Sequence, residues 1–397
     1  MGLQLAARED GFDLLIGGRT VLRHRPEYPP ISVASGDPLV TMVRGNFRLS
    51  DTPVAARPLS VCEVVGEGAA VLSSADGAAK VALSLAPDAA RLTVTSLSGH
   101  DRIMLDVLLA PDDVLWGGGE QMSYLTLNGR TFPIWTSEPG VGREPGTPLT
   151  DQASADGSFA GGDYWTTNYP EPTVLCSGGW ALSLANAEYV ELDAREPGRL
   201  RVHVWSGAVT IDLFEGAPAD LTRQLGARFD PRQALPEWAL GGAIVGLKQG
   251  EASFERLEAL IEAGAAISGL WCEDWVGIRE TSFGRRLFWD WQWNAERYPD
   301  LPARIAALKA RGIRFLGYVN PYLAVDGPLY PEAAAKGYFA RCLDSDEPYA
   351  VDFGEFHAGV VDFTNPAAAA WFAEEVIGKR MLDFGLDGWM ADFGEYL

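Results

Sequence analysis

The sequence predicts a multidomain β + α/β protein, in which an N-terminal β-sandwich is followed by the first half of a (β/α)8 TIM barrel. From residue 1 to about 232, short runs place an apolar residue at every second position, as half-buried antiparallel strands do. From 233 to 397, apolar runs alternate with amphipathic segments, which is the spacing of parallel βα units. We therefore predict two domains, 1–232 and 233–397.

Length, composition and charge narrow the function classes. A chain of 397 residues is long enough for more than one buried core, and 44 Gly with 25 Pro indicate many turns. A formal net charge of -22 argues against binding to nucleic acid or to anionic membrane surfaces. The first 18 residues carry acids and no signal-peptide pattern, and no apolar run reaches the roughly 18 residues of a membrane span. These features favour a cytoplasmic enzyme without membrane insertion, and a homo-oligomer is compatible with them.

Cysteine and histidine do not form a metal-binding pattern. The four Cys and four His residues are isolated along the chain, without the short spacings of metal sites. We expect free thiols in a reducing compartment, no metal and no cofactor.

The N-terminal half contains runs typical of strands and one segment that differs from them. Residues 80–85, 91–96 and 200–205 alternate apolar and polar side chains. By contrast, residues 116–121 and 133–143 are rich in Trp, Gly and charge. The glycines at 117–119 lack the G-x-G-x-x-G spacing of a dinucleotide loop. We predict a loop that reaches over a neighbouring active site, and an ordinary surface loop is the alternative.

The second half begins after Asp230-Pro231-Arg232, where proline and charge mark the boundary. Glycine after a helical run predicts a helix end, and proline in the first turn predicts a start. On these signals the predicted strands are 240–247, 267–275, 313–319 and 386–392, and the predicted helices are 254–263, 302–311 and one opened by residues 364–366.

The fourth strand is the last element of the sequence. An open half-barrel exposes apolar strand edges to water, so we interpret the chain as the N-terminal part of a longer protein that holds barrel strands 1–4 only.

Polar residues follow the predicted parallel strands, where barrels place their chemistry. Glu273 and Asp274 end the second strand, and Asp392 and Glu395 end the fourth. Several carboxylates with few histidines suit glycoside hydrolysis, in which one carboxylate attacks the sugar and another protonates the leaving oxygen. The alternative for Asp392 is a cap for a following helix.

A long loop, 276–300, follows the second strand. Its Arg285, Arg286, Trp289 and Trp291 combine guanidinium and indole N–H donors, which suit an oxyanion. The alternative is that the arginines pair with neighbouring acids and the tryptophans fill the core.

These motifs resemble a known family. Residues 388–397 resemble the nucleophile strand of glycoside hydrolase family 31, in the form found in its sulfoquinovosidase subgroup. Residues 285–291 resemble the sulfonate-recognition motif of that subgroup. Residues 116–121 and 135–143 resemble its N-terminal domain loop.

The resemblance implies a retaining α-glycosidase that hydrolyses sulfoquinovosyl glycerol or sulfoquinovosyl diacylglycerol by double displacement. Its partner is thus a small sulfonated sugar glycoside. The resemblance implies that Asp392 is the nucleophile and that Arg286 and Trp289 grip the sulfonate.

The other substrate-binding residues follow from the same resemblance. Glu273 and Asp274 are expected to bind sugar hydroxyls, and Glu395 and Arg285 are also expected to bind substrate. Glu138 and Arg143 are expected to approach the aglycone.

The resemblance also has a gap, since the family's general acid/base aspartate lies beyond residue 397. General acid catalysis is typically worth about 10² to 10⁴-fold, so residues 1–397 alone are expected to be inactive. The alternatives are an ordinary family 31 α-glucosidase or α-xylosidase, and a non-catalytic carbohydrate-binding fragment.

Overall fold

The computed structural model describes residues 2–43, 46–52, 54–86, 90–140, 142–229, 234–282, 284–394 and 396. It contains two compact units, Met1–Pro231 and Arg232–Leu397. The predicted boundary at residues 230–232 lies outside the described residues.

The first unit is built mainly of strands. Its elements are β1 Gln4–Arg8, β2 Gly11–Ile16, β3 Arg19–His24, β4 Ile31–Ala34, β5 Pro38–Val43, β6 Asn46–Asp51, β7 Arg57–Pro58, β8 Val61–Gly66, β9 Ala69–Ser73, β10 Lys80–Ala86, β11 Arg91–Ser96, β12 Arg102–Leu108, β13 Leu115–Gly119, β14 Thr131–Ile134, α1 Pro148–Ala153, β15 Pro170–Cys176, β16 Trp180–Leu184, β17 Val190–Asp193, β18 Arg199–Val204, β19 Ala208–Glu215 and α2 Pro218–Phe229.

Two large sheets supply the core of this unit. One has the order β13-β15-β16-β19-β11-β10-β9-β8 and the other the order β14-β17-β18-β12-β4-β7. Val94 and Leu182 from the first sheet and Leu105 and Val202 from the second belong to one hydrophobic cluster. The three runs predicted as strands are confirmed as β10, β11 and β18. Burial alternates along each of them because successive side chains point to opposite faces of a strand.

The glycine run is a strand rather than part of a loop. In β13, Gly117 pairs with Val174 and Gly119 with Pro170. A Cβ at Gly117 would lie 2.1 Å from the Thr173 carbonyl oxygen, and φ at Gly117 is +121°, so this close approach needs glycine.

In the second unit, strands alternate with helices as the sequence predicts. Its elements are α3 Glu237–Leu240, β20 Ala243–Gly246, α4 Ala252–Glu262, β21 Ile267–Trp271, a 3₁₀ turn Glu273–Val276, β22 Ile278–Thr281, β23 Gly284–Leu287, α5 Leu301–Ala310, β24 Arg314–Val319, β25 Tyr322–Ala324, α6 Tyr330–Ala335, β26 Ala350–Asp352, β27 His357–Val360, α7 Pro366–Trp371, a π-helical segment Phe372–Leu382 and β28 Gly388–Ala391.

Four parallel strands form the centre of this unit, in the order β20-β21-β24-β28. The predicted helix signals are confirmed at two helices. Helix α5 buries Leu301, Ile305 and Leu308 on one face. At α7, the Asn365 side chain accepts a hydrogen bond of 3.0 Å from the Ala367 N–H, which caps the first turn.

Three features differ from the predictions. The second strand ends at Trp271 rather than 275, because residues 273–276 turn away as a 3₁₀ turn. The predicted long loop contains the hairpin β22–β23, and a small antiparallel sheet, β25-β27-β26, lies between β24 and α7. Strands β25 and β27 pair across 34 to 38 positions, whereas β22 and β23 pair across a short turn, and local periodicity reports neither pairing.

Within the described residues, no helix combines the length and apolar character needed to cross a membrane.

Candidate active site

The carboxyl ends of the four parallel strands bring together side chains from distant parts of the sequence. Asp392 directly follows β28, and its N–H donates to the Val319 carbonyl at the end of β24 (2.9 Å). Asn320 follows β24, and Glu273 begins the turn after β21. This edge is where parallel βα folds place catalytic groups.

Asp392 is held by a tyrosine that the sequence analysis did not single out. The Tyr318 hydroxyl donates a hydrogen bond of 2.5 Å to Asp392 Oδ2, and Asn320 Nδ2 donates to the same hydroxyl oxygen (3.3 Å). Tyr318 is 3% exposed. Burial first, and then the Asp392 carboxylate, raise the pKa of Tyr318 above its ordinary range. The phenol therefore stays protonated and orients the carboxylate. Tyr318 lies at the end of β24, which is the signal that would have found it.

Glu273 faces a cation from the neighbouring strand. Lys248 Nζ lies 2.7 Å from Glu273 Oε1, and the Glu273 side chain is 19% exposed. Lys248 follows β20, so the ends of β20 and β21 contribute opposite charges at one point. No residue at the end of the first strand was predicted as a site residue, so Lys248 was missed.

Asp274 is enclosed by protein donors. This residue is 1% exposed. Its Oδ1 accepts from the Tyr298 hydroxyl (2.5 Å), and its Oδ2 accepts from Arg297 Nε (2.6 Å) and from the Gly250 N–H (3.3 Å). Asp274 is therefore occupied by protein donors rather than turned toward solvent. Since Arg297 also donates to the Lys248 carbonyl (3.1 Å), Asp274 supports the segment that carries Lys248.

The two arginines of the predicted anion motif lie on strand β23, where neighbouring residues point to opposite faces. Arg285 donates to Glu280 on β22 (2.9 Å), and both side chains are about 70% exposed. Arg285 thus forms a surface ion pair, and its expected contact with substrate stays a prediction. Arg286 pairs in register with Arg279 and is exposed.

Trp289 differs from the other tryptophans of this loop. Trp291 donates its indole N–H to the Tyr322 carbonyl and Trp293 to the Tyr298 carbonyl, both at 2.8 Å, so these two are structural. The Trp289 Nε1 is buried and has no hydrogen-bond partner among the described residues. A buried N–H without an acceptor is costly, which makes it a candidate ligand donor.

An aromatic cluster connects Trp289 to the segment that follows β28. The Trp289 ring stacks on Tyr322 (5.4 Å between centroids) and meets the rings of Phe353 and Phe393 edge-on (4.7 and 5.7 Å). Phe393 directly follows Asp392. The Arg-Trp segment and Asp392 therefore lie at the same end of the parallel sheet. Phe353 and Phe393 were not predicted as site residues from the sequence.

Asp290, in the loop 276–300, is a buried acid as Asp274 is. It is 6% exposed, its Oδ2 accepts from Gln292 Nε2 (3.0 Å), and its Oδ1 has no hydrogen-bond partner among the described residues. Burial raises the pKa of Asp290 to about 6, and the Arg380 charge only partly opposes this shift. Arg380 is linked to Asp290 through Gln292, to whose Oε1 it donates a hydrogen bond (3.2 Å).

The remaining predicted residues lie in the first unit or outside the description. Glu138 is exposed, and Arg143 lines a cleft of about 480 Å³ with Tyr124 and Tyr164. Arg143 has φ +69°, and its Nη2 lies 3.5 Å from Met122 Sδ. Their predicted approach to an aglycone stays a prediction. Glu395 lies outside the described residues.

Within the described part of the chain, no group of three or more His, Cys, Asp or Glu side chains is arranged to hold a metal ion.

Comparison with known proteins gives a consistent set of relatives. The model of the family described as glycosyl hydrolases family 31 TIM-barrel domain matches residues 232–397. A sulfoquinovosidase of Agrobacterium fabrum is 50% identical over 390 residues, which cover 98% of this chain and 58% of that protein. A sulfoquinovosidase of Escherichia coli K12 is 37% identical, with 100% and 59% covered.

A solved structure is also similar. It is a family 31 sulfoquinovosidase from E. rectale in complex with the aza-sugar inhibitor IFGSQ, with a TM-score of 0.90 and 39% identity. The match covers 99% of this chain and 59% of that one. The chain thus spans slightly less than three fifths of the length of these relatives.

Proposed function

This chain belongs to glycoside hydrolase family 31, and from that premise we propose that it supplies the nucleophile and the sulfonate-binding residues of a retaining α-glycosidase acting on α-sulfoquinovosides. In this proposal the first unit is the β-sandwich domain and the second is the first half of the (β/α)8 barrel. The substrates are sulfoquinovosyl glycerol and sulfoquinovosyl diacylglycerol, and the product is sulfoquinovose.

The nucleophile is Asp392. One carboxylate oxygen attacks the anomeric carbon, the bond to the leaving oxygen breaks, and a β-glycosyl ester forms; water then cleaves the ester and releases the sugar with retained configuration. Tyr318 supports this role because its hydrogen bond to Oδ2 fixes the carboxylate and leaves Oδ1 for attack. Residues of this chain therefore account for the nucleophilic half of the reaction.

We assign the binding of the sugar hydroxyls to residues that follow strands β20 and β21. Glu273 accepts a sugar hydroxyl, and Lys248, 2.7 Å from it, holds the carboxylate in place. Asp274 acts one step further away, since its bonds to Arg297 and Tyr298 keep the turn at 273–276 and the Lys248 segment together.

The observation that carries the substrate assignment is the buried indole N–H of Trp289, which lacks an acceptor among the described residues and whose ring contacts Phe393 beside Asp392. A sulfonate oxygen provides the missing acceptor. Arg286, three residues earlier, adds a guanidinium, and a charge-assisted bond to an anion is stronger than a neutral one.

The test compares an aryl α-sulfoquinovoside with the matching aryl α-glucoside, using the longest natural product of the gene. We expect faster turnover of the sulfonated substrate. Faster turnover of the glucoside contradicts the proposal and favours an ordinary family 31 glucosidase. Binding of sulfoquinovose without hydrolysis favours a non-catalytic carbohydrate-binding role.

Trp289→Phe sharpens this test because it keeps an aromatic ring and removes the indole N–H, while the packing lost with the smaller ring affects both substrates alike. We expect it to lower kcat/KM for the sulfoquinovoside about tenfold or more, with little change for the glucoside. Equal losses on both substrates would show that the N–H does not recognise the sulfonate.

A further inference from the structure

The first unit contains a cavity of about 330 Å³ that is lined by none of the residues assigned above to catalysis. It lies between strand β6, the segment 133–166 and Tyr189. Small-molecule sites typically have volumes of about 300 to 1,000 Å³, so this cavity suits a ligand of monosaccharide size.

The guanidinium of Arg48 lines this cavity. The Arg48 guanidinium lies 3.9 Å above the centroid of the Phe159 ring. Among the described residues it makes no ion pair or hydrogen bond, although the chain carries 54 acids against 32 Lys and Arg. A guanidinium held by ring stacking keeps its N–H donors available for an anion.

The ring under Arg48 is itself held in an unusual conformation. Phe159 has φ +61°, a left-handed value that is costly for a bulky residue. Such strain persists only where the surrounding structure imposes it, often at ligand sites. The fold therefore holds Phe159 in a strained conformation, and the Phe159 ring in turn holds Arg48 at the cavity.

The other walls combine aromatic faces with carboxylates. Trp165 and Tyr189 are half-buried and line the cavity, and the Trp165 ring stacks on no other aromatic ring among the described residues. Asp151 and Asp163 each use Oδ1 to accept a backbone N–H, from Gly146 (3.1 Å) and Tyr164 (2.7 Å). Each therefore keeps acceptor capacity for a ligand hydroxyl.

We propose that this cavity is a second carbohydrate site, which binds a pyranoside carrying one anionic substituent. Arg48 takes the anion, Asp151 and Asp163 accept hydroxyl hydrogens, and Trp165 packs against the apolar C–H face of the ring. An apolar ligand would offer no hydrogen-bonding group to the guanidinium or to either carboxylate. Choosing a sulfonated sugar as the occupant rests on the proposed function.

Calorimetry with sulfoquinovose tests the proposal on the full chain. We expect two binding events per chain in the wild type and one in Arg48→Gln. Arg57→Gln is the matched control, because Arg57 is a partly exposed arginine of the same unit that pairs with Asp76 and does not line the cavity. It should keep both events. Arg48 is exposed and has only the ring contact, so Arg48→Gln should unfold at the same temperature as the wild type.

The two proposals fail in different ways. If Arg286→Gln leaves both events unchanged while Arg48→Gln removes one, the proposed function is wrong and the second site stands. If Arg48→Gln binds as the wild type does, the second site is overturned whatever Arg286→Gln shows. Glucose, which lacks the anion, should bind at least about tenfold more weakly at the Arg48 site, and equal binding would overturn the anionic assignment.

Discussion

The Tyr318 hydroxyl lies 2.5 Å from Asp392 Oδ2, joining two residues that are 74 positions apart in the sequence. The contact exists because β24 and β28 are adjacent parallel strands in register, with Tyr318 opposite Met390. It ties the orientation of the proposed nucleophile to the third strand of the sheet.

Tyr318→Phe should slow the reaction more than it weakens binding. The substitution keeps the buried ring and removes one hydrogen bond to a charged group, which is worth roughly 1.5 to 3 kcal/mol. We expect kcat to fall about 10- to 100-fold with KM changed less than about threefold. Steady-state kinetics on the aryl sulfoquinovoside measures this. Tyr330→Phe, on α6, is the control and should keep wild-type kinetics; a wild-type kcat in Tyr318→Phe would refute the orienting role.

Arg286 and Arg285 provide an internal comparison. Arg286→Gln should reduce kcat/KM for the sulfonated substrate by about 10- to 100-fold and spare the glucoside, because a guanidinium bond to an anion is lost. Arg285→Gln should change either value less than about twofold, since Arg285 pairs with Glu280 at the surface. The two variants differ by one position, and reversed effects would assign the sulfonate to Arg285.

Asp274→Ala should destabilise the protein rather than act on substrate alone. Removing one partner of a buried ion pair typically costs about 3 to 5 kcal/mol, and here Arg297 and Tyr298 both lose their acceptor. Asp326→Ala breaks the pair with Arg279, but the Asp326 side chain is 57% exposed, so a loss below about 1 kcal/mol is expected. Chemical denaturation of both variants measures the difference. Equal, small losses would contradict the structural role of Asp274.

Asp290 makes stability depend on pH with a defined sign. Its pKa rises from 3.8 to about 6 on folding, so the native state favours the protonated acid. The stabilisation is complete below about pH 4 and is lost as the pH rises through about 6. Two pKa units correspond to roughly 3 kcal/mol, as an upper figure.

Asp290→Asn removes this titration. The free energy of unfolding of the wild type relative to the variant should fall between about pH 4 and pH 7, as followed by denaturation at each pH. Asp346→Asn is the control because the Asp346 side chain is 94% exposed. Parallel pH curves for the wild type and Asp290→Asn would show that Asp290 is ionised at low cost.

Local sequence signals predicted where helices of the second unit begin and end. Pro302, Asn365 and Gly312 mark helix ends, and the structure has helices at α5 and α7 with Gly312 at φ +79°. Such signals work because capping and backbone conformation depend on neighbouring residues. The same signals did not reveal hairpin β22–β23, whose pairing Arg279↔Arg286 spans a turn without a strong sequence pattern.

The candidate residues could likewise be identified from the sequence, but their separate roles could not. By composition, Trp289 and Trp291 are equivalent, as are Glu273 and Asp274. The tertiary structure distinguishes them through partners from distant segments: the Tyr322 carbonyl occupies Trp291, and Arg297 and Tyr298 occupy Asp274, whereas Glu273 meets Lys248 and the Trp289 N–H meets no described acceptor.

The sequence by itself determined which elements form and which polar residues stand at strand ends, because periodicity and caps are local properties of the chain. Only the tertiary structure decided which of those residues are held by protein partners and which keep an open donor or acceptor. The reason is that hydrogen-bond satisfaction and burial depend on segments 20 to 75 positions away, brought together by parallel strand order.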